Sequence, residues 1–394
     1  MSKHVIPHGD ADKLDTHEAR GVERKMPDPF ELWLLAWQSA VSHGMEQFIE
    51  AIPGAAALPD WRGRAEVVDL SALPVLGRVR TDLPTMLLLE QREPTQSQET
   101  PVLIVAPYAV HDASIGDFAD SHSVAQILSK EHPVAMTFWK SATAQMRYYG
   151  IDAYLSDLNV AIDDLGGCAS LVGLCQGGWL AAVYASRFPN KVRKLVLVGA
   201  PIDLAATESR ITRALSAFTP AVIEQFIEIN GGMVSARMSL AMWVDGLAEE
   251  YNAATALQAD GDADLMRKFD AWKTRAVDLP GVFFQQTTEW LFRENRLARD
   301  CFPALGRLAG LSSISSPTFI LAAADDEVVA LAQATAMKSR PRVANVSVQV
   351  ESGRHLSLFM GRRTLAGAWR DIARWLKEGS GRPSCRLGSA KAKI

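Results

Sequence analysis

The chain has 394 residues, which at roughly 100–200 residues per domain accommodates two domains, or one large domain carrying an insertion. Hydrophobic residues make up 48% and charged residues 22%, enough apolar surface to offset the entropy of ordering, so a mainly disordered chain is excluded. The net charge of −4, from 41 basic and 45 acidic residues, gives no general field for nucleic acid or an anionic membrane, and no apolar run approaches the roughly 20 residues of a bilayer span.

The first residues are polar and carry no apolar core of a signal peptide. Four cysteines (Cys168, Cys175, Cys301 and Cys385) show neither a CxxC pair nor zinc spacing, so we expect no disulfide framework, no metal and a cytoplasmic location. Residues 1–60 are expected to form a polar lead and one helix. Asp28 caps that helix, Pro29 takes its first position, and Trp33, Leu34, Trp37, Val41, Met45, Phe48 and Ile52 recur at helical spacing.

Residues 61–202 alternate between strands (86–89, 102–105, 134–138, 170–174, 195–198) and helices (151–165, 177–188), the pattern of a mostly parallel sheet covered on both faces. Residues 203–315 read as helices only, including 221–229, 238–257, 263–277 and 283–297, and form an expected helical cap. Alternation resumes over 316–378 with strands 318–322 and 346–350 and a helix over 365–376. The tail, 379–394, is basic and expected to be disordered. The fold class is therefore α/β, interrupted by a helical insertion.

The sharpest local signal is Gly173-Leu174-Cys175-Gln176-Gly177-Gly178, between a buried strand and a helix. Small residues on either side allow a sharp turn that pushes the central side chain out over the sheet edge. A thiol there sits at a helix N-terminus, which favours the thiolate. Neither Walker A nor dinucleotide spacing fits. Cys175 is thus the candidate nucleophile, with the N–H of Gln176 as one oxyanion donor and that of Tyr108 or Ala109, after strand 102–105, as the other. Such elbows order their partners as acid and then histidine. Strand 318–322 runs into Asp325-Asp326-Glu327-Val328-Val329, where Asp326 is preferred over its neighbour Asp325 and over Asp203. His355 is the one histidine of eight that follows the acid, and it takes the role of base. His111, near the oxyanion rim, is read as a loop residue without a role.

These residues resemble the polyhydroxyalkanoate synthases and intracellular polyhydroxyalkanoate depolymerases, cysteine-nucleophile members of the α/β-hydrolase superfamily. The elbow box, Leu279-Pro280-Gly281 and Glu294-Asn295-Arg296-Leu297 resemble synthases. The stretch Pro101–Pro107, Gly199-Ala200-Pro201-Ile202-Asp203, Asp260-Gly261-Asp262 and the segment from His355 to Arg363 resemble depolymerases. Synthases carry Trp-Arg-Asn where this chain has Trp139-Lys140-Ser141. The resemblance implies the triad Cys175, Asp326 and His355 and a substrate that is a 3-hydroxyacyl ester, polymer or thioester. It also implies no cofactor, and leaves a homodimer through the cap and association with polymer granules open. Phe283, Phe284 and Trp290 would line an acyl channel, or else form the core of the cap. The main expectation is ester hydrolysis, the alternative is acyl transfer from a 3-hydroxyacyl-CoA, and a non-catalytic granule scaffold comes last.

Overall fold

The computed structural model describes residues 69–93, 99–216, 218–236, 249–259, 261–340 and 345–379. The lead and helix expected over 1–60 lie outside these residues, as does the tail beyond Gly379.

One eight-stranded sheet carries the architecture, in the order β1-β2-β4-β3-β5-β6-β11-β12. Its strands are β1 (Leu76–Asp82), β2 (Met86–Gln91), β3 (Val102–Val105), β4 (Val134–Trp139), β5 (Ala169–Leu174), β6 (Val192–Val198), β11 (Thr318–Ala323) and β12 (Val346–Glu351). From β4 to β12 all pairs are parallel, while β1 and β2 add an antiparallel edge. Every side chain of β3, β4, β5 and β11 is buried, as expected for strands covered on both faces by helices. β1 forms an antiparallel pair that the sequence reading did not resolve as a strand; its exposed, charge-rich pattern (Arg78, Arg80, Asp82) hides the alternation.

Two helices pack centrally. In Gln176–Arg187 the ten residues from Gly177 to Ser186 are buried, so this helix runs through the interior rather than over the surface. The C-terminal helix Ala368–Lys377 is amphipathic: Trp369, Ile372 and Leu376 face inward, and Trp369 Nε1 donates to Leu358 O at 2.7 Å. The single helix expected over 365–376 is broken at Gly367, which separates Arg362–Ala366 from Ala368–Lys377.

Between β6 and β11, residues 199–317 leave the sheet. The helices Arg210–Ser216, Pro220–Ile229, Ala253–Leu257, Ala263–Thr274 and Gly281–Gln286 form there, the last continuing as a π-helix over Thr287–Arg293. The expectation of helices only does not hold. β7 (Met233–Val234) pairs with β8 (Leu279–Pro280), and β9 (Phe302–Ala304) pairs with β10 (Arg307–Ala309). The second pair turns through Leu305 and Gly306, both at positive φ. A leucine in that conformation is uncommon, so the turn carries none of the usual Asn-Gly signal. Part of the expected helix 238–257 lies outside the described residues. Its end is a separate short helix started by Asn252, whose side chain accepts the Thr255 N–H at 3.1 Å.

The described apolar residues of the insertion join the core of the sheet. Phe269, Trp272, Phe283 and Leu291 belong to one buried cluster with Val105, Leu174 and Val198 of the sheet. Among the described residues, no helix is long and apolar enough to cross a membrane.

The closest backbone approach lies where the helix Gln176–Arg187 meets β3. A Cβ on Gly177 would lie 2.1 Å from Val105 O and 2.6 Å from Ala106 O. Both opposing atoms are backbone, so Gly177→Ala is expected to lower stability by about 1–3 kcal/mol, read as a reduced urea midpoint.

Candidate active site

Cys175 closes β5 and opens the following helix with φ 47° and ψ −118°. This is a positive-φ conformation that a non-glycine residue holds only when its surroundings enforce it, at a cost of about 1–3 kcal/mol. The surroundings are visible. The Cys175 N–H donates to Val198 O at 2.9 Å, and a Cβ on Gly173 would come 2.4 Å from Gly178 Cα. Strand and helix can converge at the elbow because neither glycine carries a side chain. The thiol is free and half-buried, within reach of a substrate. Among the described residues no acceptor takes the N–H of Gln176, Tyr108 or Ala109. All three remain open as oxyanion donors, without a choice between the last two.

Asp326 follows β11 and His355 follows β12, so both loops emerge at the same sheet edge as the elbow. Asp326 Oδ2 accepts a hydrogen bond from His355 Nδ1 at 2.7 Å. Asp326 Oδ1 accepts the N–H groups of Val328 at 2.8 Å and Val329 at 2.7 Å. The carboxylate therefore has one oxygen fixed by its own turn and the other aimed at the ring. With Nδ1 committed to Asp326, the opposite ring nitrogen is the one left to face Cys175. Burial alone would lower the basicity of His355. The Asp326 carboxylate and Cys175, by charge and by hydrogen bonding, outweigh it and hold the imidazole well above its ordinary range. Phe359 stands edge-on to the ring, and a Cβ on Gly199 would lie 3.1 Å from His355 Cε1. The ring thus has little room to turn.

The competing acids lie elsewhere. Asp325 is exposed, and its N–H donates to Gly353 O at 3.1 Å. Asp203 accepts from Asn295 Nδ2 at 2.8 Å and pairs with Arg340 at 3.3 Å, while Asn295 Oδ1 accepts the Leu204 N–H at 3.1 Å. Two of the segments that carry the family resemblance therefore meet each other, fastening the insertion to the end of β6.

The proposed channel residues need correction. Phe283 is 2% exposed and packs against Tyr108, Tyr154 and Trp179, with ring centroids 5.1, 4.6 and 6.3 Å away. It belongs to the buried cluster shared with the sheet, which fits the second of the two expectations, a core role, better than the first. Phe284 and Trp290 are half-buried against the same cluster, Trp290 edge-on to Phe302 with Arg296 over its ring.

His111 does have a partner near the nucleophile. Its Nδ1 lies 3.0 Å from Arg275 O, which can only accept, so Nδ1 carries the proton and Nε2 accepts from Tyr251 Oη at 2.8 Å. Burial drives His111 down to about 4, which keeps it neutral. Burial likewise pushes the Tyr251 phenol up, assisted by the charge of Cys175, so Tyr251 stays protonated beside the thiol. Sequence reading passed over Tyr251 because 238–257 looked like one continuous helix; the capping residue Asn252 was the signal that it is not.

Asp326→Asn is expected to slow turnover by roughly 10³- to 10⁴-fold, because the amide stabilises the wrong imidazole tautomer. Asp325→Asn should leave turnover unchanged in the same assay. The raised His355 also has a stability signature. A group raised on folding contributes stability that is fully present below its ordinary value of 6.5 and is lost as pH rises through its folded value. The melting temperature should therefore fall as pH is raised above 6.5, and Asp326→Asn should flatten that decline.

The site can be set against known proteins. Residues 139–359 match the alpha/beta hydrolase fold family. The chain is 24% identical over 312 residues to a poly(3-hydroxyalkanoate) polymerase subunit PhaC of Synechocystis sp., covering 74% of this chain and 82% of that protein. A protein of the same name from Thiocystis violacea is 20% identical over 369 residues, covering 90% of this chain and 98% of the relative. Among solved structures, the monoacylglycerol lipase of Paleococcus ferrophilus superposes with a TM-score of 0.50 at 14% identity, over 74% of this chain and 98% of the lipase, a likeness of fold alone. With its parallel sheet, its elbow at the end of β5 and a family match that spans more than half its length, the chain belongs to the alpha/beta hydrolase fold family.

Proposed function

We propose that this protein is an acyltransferase acting on 3-hydroxyacyl thioesters, with Cys175 as nucleophile, His355 as base and Asp326 as the acid that orients it. The observation that carries this reading is the relatives' name, poly(3-hydroxyalkanoate) polymerase subunit, over 74–90% of this chain. It favours acyl transfer over the ester hydrolysis that the sequence segments suggested. The cysteine fits, because thiol exchange between a thioester and the enzyme is nearly balanced in free energy.

The geometry supports a two-step reaction. The Cys175 thiolate attacks the thioester carbonyl, and the oxyanion is met by the N–H of Gln176 and by one from Tyr108 or Ala109. The carbonyl re-forms, the C–S bond to the leaving thiol breaks, and the His355 imidazolium returns a proton to that thiol. A hydroxyl of a second 3-hydroxyacyl unit then attacks acyl-Cys175 while His355 takes its proton. The new ester leaves and Cys175 departs as thiolate beside the imidazolium.

The test uses the purified protein and Cys175→Ala, each incubated with 3-hydroxybutyryl-CoA and, separately, with amorphous 3-hydroxybutyrate oligomers. The expected result is CoA release with one 3-hydroxybutyryl group added to Cys175 by mass, both absent in Cys175→Ala. Free hydroxyacid from the oligomers without an acyl-enzyme from the thioester would restore hydrolysis. Identical behaviour of the two proteins on both substrates would remove the family's chemistry altogether.

A further inference from the structure

The turn that holds the catalytic acid is closed by carboxylates on both sides. Asp326 Oδ1 takes the N–H groups of Val328 and Val329, which leaves the N–H of Glu327 to be satisfied by another group. That group is Glu250, from the insertion: its Oε1 accepts the Glu327 N–H at 3.0 Å. The Glu250 side chain is 1% exposed and lies against the backbone of His355, and its second oxygen, Oε2, is buried without a hydrogen-bond partner among the described residues. One carboxyl of the insertion thus touches the acid loop and the histidine loop together. Its chain neighbour Tyr251 reaches His111 on the opposite rim. The charged groups around it are Asp326, His355, Glu327, Arg354 (paired with Glu327 at 2.9 Å) and the exposed Glu249.

We propose that Glu250 is a positioning residue: by accepting the Glu327 N–H against the back of His355, it makes the alignment of Asp326 with His355 depend on where the insertion sits. Nothing else among the described residues takes that N–H. Removing the acceptor leaves a part-buried donor unsatisfied and loosens the turn that orients Asp326. The role needs an oxygen acceptor at the right reach rather than a charge. Burial, the largest influence on Glu250, raises its carboxyl towards the neutral form, which still accepts through its carbonyl oxygen. An amide of the same length serves equally, and a shorter carboxylate does not.

The inference rests on Cys175 and His355 forming a pair, and the test separates the two. The pH profile of Cys175 alkylation by iodoacetamide reports how well His355 supports the thiolate. It is measured for the full chain, His355→Ala, Glu250→Ala, Glu250→Asp and Glu250→Gln, with melting temperature and circular dichroism taken on each. Glu250→Ala and Glu250→Asp are expected to move the inflection up by about one pH unit, a tenfold loss of rate below it. Glu250→Gln should keep the profile of the unaltered chain. A normal profile in Glu250→Asp with a shifted one in Glu250→Gln would show that charge is what matters and overturn the role. Should Glu250→Ala fail to fold, the Gln and Asp variants decide alone. A profile moved by His355→Ala but by neither Glu250→Ala nor Glu250→Asp overturns the role of Glu250 alone; one unmoved by His355→Ala overturns the triad and this role with it.

Discussion

The convergence of β5 with the helix Gln176–Arg187 is the constraint from which the site follows. Their backbones meet so closely that a methyl group on Gly173 would collide with Gly178 Cα, and the same helix is pressed on β3 so that one on Gly177 would collide with Val105 O. That approach forces the chain between them into a turn too sharp for an ordinary conformation, and Cys175 takes it at positive φ. The hydrogen bond from Cys175 N–H to Val198 O pins the turn to the next strand. A buried central helix and four fully buried strands supply the rigidity that keeps a residue in a costly conformation. The thiol is consequently carried, free and half-buried, on a turn that its surroundings fix.

The partners are held by different means. The elbow is built by close backbone packing, whereas the acid and histidine sit in loops that depend on hydrogen bonds. Asp326 is immobilised by two N–H groups of its own turn and His355 by Asp326, Phe359 and the lack of space at Gly199. The insertion is fastened at both ends of the site: by Asp203 with Asn295 near the end of β6, and by Glu250 at the acid loop. Because its apolar residues belong to the same cluster as the sheet, its placement is part of the core packing rather than that of a separate domain. The proposed role of Glu250 joins the setting of Asp326 and His355 to the seating of the insertion.

Much of this was legible in the residues, and the exceptions share a cause. The elbow was legible because a glycine pattern between an apolar run and a helix has few other physical explanations. Asp326 was distinguishable from Asp325 by its loop pattern, an acid followed by one residue and the two β-branched residues Val328 and Val329; the structure adds that its Oδ1 accepts both of their N–H groups. Phe283 stayed ambiguous because a helix has one apolar stripe whether it meets ligand or protein. The hairpin at Leu305-Gly306 places a leucine at positive φ, which no local preference announces, whereas the break at Gly367 follows the poor helix propensity of glycine inside an otherwise helical pattern.

By itself the sequence determined the alternation of strands and helices, the elbow that carries Cys175, and the chain order of Asp326 and His355, since each rests on patterns a few residues wide. Only the tertiary structure decided which groups from distant segments converge. Glu250 lies 77 residues from Glu327, and Tyr251 lies 140 from His111. No local preference encodes such pairings, because they arise when the insertion folds back over the sheet edge and buried polar atoms must find partners there.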